Sequence, residues 1–344
     1  MSAARGDFGF DTTRLDAFLR TALPGLDGPA RVERIAGGQS NPTFFVSYDD
    51  RRLVVRKQPP GELLPSAHAI DREYRVIRAL MATDAPVPPA LHYCDDRSIV
   101  GTPFYVMERV EGRVFHDCAL PGVAPADRLA MYQSMARTLA ALHNVNFDSI
   151  GLSDYGRPNH YFERQIRRWT RQWELSRTRD DSNIERLARW LPRHIPVDDA
   201  ASVVHGDYRI GNLIFHPTEP RVVAILDWEL STLGHPLADL AHCAMAWLTA
   251  PQEYGGVEGL DLESLGIPDL AAFEAAYAAQ ARHGLSLAPF HKAFALFRWS
   301  VIFEGIAARV KAGNASGGDA DSTGRLSEIF ARRATLYVNE AVAP

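Results

Sequence analysis

Three oxygen-bearing side chains, Asp207, Asn212 and Asp227, stand in a pattern that could do chemistry together. They lie in VVHGDYRIGNLIFHPTEPRVVAILDWE, from Val203 to Glu229. Two short β-branched runs, Ser202 to Val204 and Val222 to Leu226, lead straight into polar clusters, HGDYRIGN and DWE. Strands that deliver functional side chains from their ends have this form. A hairpin-like fold-back of the two runs would bring Asp207, Asn212 and Asp227 to one end of a sheet, and a hard cation such as Mg²⁺ takes such an oxygen set.

The spacing His205-x-Asp207-x-x-x-x-Asn212, followed by an Asp at the end of the next apolar strand, resembles the catalytic and metal loops of the kinase fold. Written as HGDYRIGN and DWE, it looks like the aminoglycoside phosphotransferase superfamily. The run continuing through Leu230 to Leu240, LSTLGHPLADL, is very similar to the phosphotransferase domain fused to some acyl-CoA dehydrogenases. The resemblance implies an α+β, protein-kinase-like fold of two lobes. Residues 1–110 would form a small nucleotide-binding lobe with a five-stranded antiparallel sheet, and residues 111–344 a larger, mainly helical lobe for catalysis and acceptor binding. It further implies ATP and Mg²⁺ as cofactors and phosphorylation of a hydroxyl on a small molecule. Asp207 becomes the base, Asn212 and Asp227 the metal ligands, and Arg209 an electrostatic partner of the transferring phosphate. His205 is expected to brace the loop, Glu229 to serve a second metal shell or the substrate, and Asp239, inside an apolar helix, to anchor the loop from behind.

These groups need elements to hold them. Leu15, Phe18, Leu19 and Leu23 share a helical face after the capping stretch Asp11 to Thr13. Val32 to Ile35, Thr43 to Tyr48 and Leu53 to Arg56 read as strands, the last two joined at Asp49-Asp50. Between the first two lies GGQSNP, where Gly37 and Gly38 permit close backbone approach and Ser40 and Asn41 add donors. A phosphate cradle and a plain glycine turn both fit these residues, and the position in a kinase-like lobe favours the cradle. Ser66 is expected to cap a helix running to Met81, whose buried stripe of Ile70, Ile77 and Leu80 includes Glu73. A carboxylate there requires a cation, and the preceding strand ends in Arg56-Lys57. Strand alternation leaves both open; the resemblance favours Arg56 as the phosphate-binding partner of Glu73.

Strands at Ala90 to Cys94 and Phe104 to Val110 complete the sheet. By resemblance, the hinge that follows binds adenine through the main chain of Glu108 and Val110. Helices are then expected from Pro125 to His143, Tyr161 to Ser176, Asn183 to Leu191, Leu237 to Leu248, Leu270 to Arg282, Pro289 to Lys311 and Leu326 to Val342. His143 reads as a satisfied structural histidine, and the small-polar tract Ala312 to Gly324 as a mobile loop.

Composition narrows the classes. A chain of 344 residues with 46% hydrophobic and 23% charged residues suits an ordinary globular protein of two lobes. A net charge of −5 does not favour a nucleic-acid partner. Neither a membrane span nor a secretory leader is legible, so a cytoplasmic protein is expected. Cys94, Cys118 and Cys243 form no CxxC pair. A metallophosphoesterase would need an Asp-x-His element, and a P-loop enzyme GxxxxGK[ST]; neither occurs. The rival from another class is a non-catalytic, kinase-like binding module, which the full set of acidic residues disfavours.

Charge also bears on the acceptor. From Glu163 to Arg193 there are nine arginines and five acids, an excess of four positive charges. A solvated helix face explains this as well as a functional patch does. An enzyme for polycationic aminoglycosides would instead line its cleft with carboxylates. The resemblance to the domain fused to acyl-CoA dehydrogenases points the same way and implies an anionic hydroxylated metabolite as the expected acceptor, with a hydroxyacyl-CoA as the leading candidate and aminoglycosides as the alternative.

Overall fold

The period-two pattern of one strand organises the sheet. In Arg52–Lys57 (β3), Leu53, Val55 and Lys57 face one side, while Val54 and Arg56 face the other. The computed structural model describes residues 8–35, 41–61, 69–198, 200–312 and 320–340. β3 lies at the centre of an antiparallel five-stranded sheet with Arg31–Arg34 (β1), Thr43–Ser47 (β2), Ala90–Cys94 (β4) and Phe104–Glu108 (β5), in the order β1-β2-β3-β5-β4. The Tyr48 amide donates to the Arg51 carbonyl and closes the β2–β3 turn at Asp49-Asp50.

The outer face of the sheet is covered by helix α1 (Thr12–Ala22), capped by the Asp11 side chain on the Thr13 amide at 2.9 Å. Leu15 and Leu19 are fully buried there with Phe10, Phe44 and Val46. Each such aliphatic side chain contributes about 1.5–3 kcal/mol by leaving water. A short helix, α3 (Arg97–Val100), precedes β5 on the same side. The inner face meets α2 (Ile70–Leu80), with Ile70, Ile77 and Leu80 buried as the stripe requires. Ser66, Gly37, Gly38 and Ser40 lie outside the described residues.

The larger lobe comprises α4 (Pro125–His143), α5 (Tyr161–Ser176), α6 (Ser182–Trp190), α7 (Pro236–Ala244), α8 (Pro251–Tyr254), α9 (Leu262–Leu265), α10 (Leu270–Ala278), α11 (Pro289–Lys311) and α12 (Ala320–Glu340). A core continuous with the inner sheet face runs through Tyr105, Phe215 and Trp228 to Leu139 and Phe273. A second core packs α5 and α6 on α11 and α12 through Ile166, Trp173, Leu296 and Phe330. This is the two-lobed, kinase-like α+β fold that the motifs imply. Among the described residues no helix is long and apolar enough to cross a membrane.

Three expectations about elements need correction. The runs Ser202–Val204 (β6) and Val222–Ile225 (β8) do not pair with each other. β8 pairs with Leu213–Phe215 (β7), a strand hidden in the LIF of the motif, and β6 pairs with Thr232–Gly234 (β9). The helix expected to Leu248 ends at Ala244 and continues as successive tight turns from Met245 to Leu248. The tract read as a loop to Gly324 is already helical from Ala320, its residues drawn into α12 as that helix packs on α11.

Candidate active site

Asp207 sits at the start of the turn between β6 and β7, and every contact around it has a source in the chain. The loop is suspended from Asp239 of α7, whose carboxylate accepts the His205 amide at 2.5 Å and the Gly206 amide at 2.8 Å. Burial would raise the Asp239 carboxyl, but the His143 hydrogen bond and these amides hold it below the ordinary range. His143 is held in turn by the Tyr277 hydroxyl at 2.7 Å. Both the anchoring role of Asp239 and the structural role of His143 match the sequence reading. His205 accepts the Asp207 amide at Nδ1, 3.2 Å, so its Nε2–H donates to the Leu226 carbonyl at 2.7 Å. It therefore ties the Asp207 loop to the strand that carries Asp227. Gly206 has φ +84°, and a Cβ there would lie 2.7 Å from the Leu230 carbonyl oxygen, so only glycine fits this turn.

The Asp207 carboxylate is held at both oxygens. Oδ2 accepts Asn212 Nδ2 at 2.7 Å and faces Arg209 Nε at 3.5 Å, while Oδ1 accepts His242 Nε2 at 2.8 Å. Burial alone would raise this carboxyl; the His242 and Arg209 contacts outweigh it and hold it well below the usual carboxylate range. It is ionised throughout the physiological range. Because Asn212 uses Nδ2 on Asp207, its amide oxygen is the atom left for a cation.

A cleft between the sheet and the β7–β8 hairpin encloses about 1420 Å³ of space open to solvent. Arg56, Asn212 and Asp227 line it, together with the hinge residues Glu108, Val110 and Gly112. Arg56 donates from Nε to Glu73 Oε2 at 2.7 Å and from Nη2 to Asp227 Oδ1 at 2.9 Å, and Glu229 lies 3.8 Å away. Burial would weaken the guanidinium's hold on its proton, but Glu73 and Asp227 reverse that. Glu73 is buried and also accepts Asn41 Nδ2 at 2.5 Å and the Tyr105 hydroxyl at 3.2 Å. Asp227 holds a left-handed backbone, φ 62° and ψ 65°, a strained conformation typical of functional turns. At the hinge, the Glu108 amide is taken by the Pro89 carbonyl at 2.9 Å, and the Glu108 side chain by Arg51 at 2.5 Å. Among the described residues, the Val110 N–H has no backbone acceptor.

Two of the expected nucleotide contacts are elsewhere. Lys57 is on the opposite face of β3, where its ammonium donates to the Val100 carbonyl and lies 5.1 Å from the Phe10 ring centroid. Strand alternation makes it a cap of the outer core rather than a ligand of the cleft. The Asn41 side chain does not face the cleft as a phosphate donor; it is buried and fixes Glu73.

His242, bonded to Asp207 Oδ1, belongs to the wall of a second, small cavity of about 50 Å³. Tyr132, Trp247, Tyr254 and Trp299 contribute aromatic wall, and Arg209 brings a positive charge to it. No carboxylate lines it among the described residues. Cys118 and Cys243 reach it as protonated thiols, since burial pushes Cys118 up to about 11 and Cys243 higher.

The arginine excess between Glu163 and Arg193 is largely consumed by partners. Arg179 pairs with buried Glu304 and bonds Ser327 Oγ at 3.0 Å; Arg186 bonds Asn339 at 2.7 Å; Arg167 pairs with Glu163 at 2.7 Å. Arg168 lies 5.5 Å from the Trp169 ring, and Arg298 of α11 lies 5.5 Å from the same ring. Arg298 Nη2 donates to the Gly206 carbonyl at 2.7 Å. Neither Arg298 nor His242 was singled out by the sequence reading. The available signal was a basic residue inside an otherwise apolar helix, with His242 three positions after Asp239 and hence on the same helical face.

A kinase-like fold with an ionised HxD aspartate, bonded to the Asn212 of a cleft that also holds Arg56 and Asp227, defines a phosphotransferase architecture. The chain belongs to the phosphotransferase enzyme family, APH, whose model matches residues 31–290. Acyl-CoA dehydrogenase family member 11 of Rattus norvegicus is 42% identical over 332 residues, covering 94% of this chain and 42% of that protein. Acyl-CoA dehydrogenase family member 10 of Mus musculus is 40% identical over 315 residues, covering 89% of this chain and 29% of that protein. The chain thus spans less than half the length of these relatives. A crystal structure from Ralstonia eutropha JMP134, provisionally described as an aminoglycoside phosphotransferase, is 45% identical with a TM-score of 0.89, covering 96% of this chain and 99% of that one. Aminoglycoside phosphotransferase APH(4)-Ia, solved with AMP-PNP and hygromycin B, shares the fold with a TM-score of 0.61 at 15% identity, over 93% of this chain and 98% of that one.

Proposed function

We propose that the chain transfers the γ-phosphoryl group of ATP, assisted by Mg²⁺, to a hydroxyl of a small anionic metabolite, a hydroxyacyl-CoA thioester being the leading candidate. One observation carries the reading: Asp207 is bonded at one oxygen to Asn212, which lines a cleft with Arg56 and Asp227, and at the other to His242, in the wall of a small apolar cavity that holds Arg209 and no carboxylate among the described residues. In this reading residues 1–110 hold the nucleotide and residues 111–344 supply catalysis and the acceptor site. Asn212 and Asp227 offer hard oxygen donors, which suit Mg²⁺; phosphate oxygens and water complete a shell of this kind. When bound, the cation neutralises phosphate charge.

The chain's own residues do the rest. Arg56, fixed by Glu73, meets the nucleotide phosphates from the sheet side, and the Glu108 carbonyl and Val110 N–H face adenine. Ser40, one residue before Asn41 in the sequence, is assigned as a further phosphate donor. The acceptor oxygen attacks phosphorus as the bond to the departing ADP breaks, and its proton passes to Asp207. So weak a base suits a loose transition state in which the hydroxyl needs orientation first and deprotonation late. Arg209 meets the charge of the transferring group. The relatives named acyl-CoA dehydrogenase support an acyl-CoA acceptor, and Arg209 in a wall without carboxylates among the described residues supports an anion.

Coupled ADP-release assays with hydroxyacyl-CoAs and with kanamycin-type aminoglycosides test the proposal. Mg²⁺-dependent turnover of the thioesters is expected. Efficient turnover of the cationic drugs, unchanged when Arg168 and Arg171 are neutralised, would overturn it.

A further inference from the structure

The contact at Asp207 Oδ1 continues outward. His242, buried in α7, points Nε2 at that oxygen, and its Nδ1 lies 3.2 Å from Trp299 Nε1 of α11. An indole N–H can only donate, so His242 Nδ1 must be a bare acceptor and Nε2 must carry the hydrogen. Trp299 is itself wedged between Tyr254, at 4.2 Å and 69°, and Phe303, at 5.6 Å and 28°. His242 and Trp299 both belong to the wall of the apolar cavity.

We propose that His242 is the positioning residue of Asp207, locked by Trp299 in the Nε2–H tautomer so that Asp207 presents Oδ1 to the acceptor hydroxyl. The inference rests on the phosphotransferase reading above and deepens it. Oδ2 is occupied by Asn212 and faces Arg209. Oδ1 carries His242 alone, which leaves it a lone pair for the acceptor hydroxyl. The opposite tautomer would set the Nε2 lone pair against carboxylate oxygen and turn Asp207 away. His242 touches no reacting atom; it acts through the carboxylate, by the logic that a group must be held within about 0.5 Å of its productive place. In the step itself the acceptor O–P bond forms, the P–O bond to the leaving ADP breaks, and the hydroxyl proton goes to Asp207 Oδ1.

The side chain of glutamine places an N–H at about the reach of Nε2, and phenylalanine removes it. His242→Phe should lower kcat by about ten- to a hundredfold, the scale of a misplaced catalytic group, with the KM for ATP unchanged. His242→Gln should restore most of that loss. Trp299→Phe should lower kcat by a smaller factor. The ¹⁵N shifts of His242 should report the Nε2–H tautomer in the wild type and a mixture in Trp299→Phe. Because His242→Phe strands the Trp299 N–H, the double variant His242→Phe/Trp299→Phe should melt above His242→Phe yet stay as slow. Unchanged kcat in His242→Phe, no rescue by Gln, or an Nδ1–H tautomer in an active wild type would overturn the positioning role. A wild type that phosphorylates no acceptor would overturn the phosphotransferase reading, and the positioning role with it, whatever the tautomer.

Discussion

Changing Glu73 to Gln tests the clamp that aims Arg56 into the cleft proposed to hold the nucleotide. The carboxylate accepts three hydrogen bonds, one from Asn41 at Oε1 and two from Arg56 and Tyr105 at Oε2. An amide has a single oxygen. Turned toward Arg56 and Tyr105, it confronts Asn41 with an NH₂; turned the other way, it confronts the guanidinium. Either way the buried one of its carboxylate partners is gone, and the Arg56 side chain is only 14% exposed. Breaking a buried pair costs about 3–5 kcal/mol, and because Asp227 still holds Arg56 at 2.9 Å the lower end, about 3 kcal/mol, applies. An unfolding entropy of about 2.1 cal/mol/K for each of the 344 residues is about 0.7 kcal/mol/K, so the melting temperature should fall by about 4 °C. Arg56→Met should cost about as much by leaving Glu73 without its cation. Both single variants should weaken ATP binding in calorimetry by about tenfold, or 1.4 kcal/mol. The double variant buries neither lone charge, so its loss should fall short of the sum by about 2–3 kcal/mol. Additivity within about 0.5 kcal/mol would show that the two side chains do not act as a pair.

Asp207→Asn should keep the fold and nucleotide affinity while lowering turnover by about two to four orders of magnitude, the scale of a lost proton acceptor; near-normal kcat would refute its role. Asp227→Ala should abolish Mg²⁺-dependent nucleotide binding measured by titration calorimetry, whereas Asp227→Asn, which tolerates the left-handed backbone, should melt close to the wild type. Asp207 and Asp239 are both held below the ordinary carboxylate range, so the stability they confer is present above the unfolded value of about 3.9 and is lost as pH falls through their lower folded values. Melts recorded from pH 7 down to pH 3 should therefore drop below about pH 4. Asp239→Asn should melt lower at pH 7 and show a shallower drop; an equally steep one would refute the assignment.

The proposed site was legible as a cluster because its signals are local. A polar cluster directly after an apolar strand places Asp207, Asn212 and Asp227 without reference to the rest of the chain, and a carboxylate on a buried helical stripe, Glu73, demands a cation wherever it comes from. Helices with a strict 3.6 period, such as Tyr161–Ser176 and Pro289–Lys311, end where the sequence says. Strand pairing is a different matter. Three-residue strands carry too little pattern to name their partners, so only the tertiary structure could replace a β6–β8 fold-back by the pairs β7–β8 and β6–β9. The choice between Arg56 and Lys57 likewise needed the register of β3, because neighbouring strand residues are chemically alike and differ only in the face they occupy. Asn41 looked like a loop donor until packing turned it inward onto Glu73. His242 and Arg298 carry only the weak signal of a basic residue in an apolar helix: they lie 35 and 92 positions from the loop residues they touch, Trp299 reaches the loop only through His242, and no local pattern encodes contacts made when α7 and α11 close over that loop.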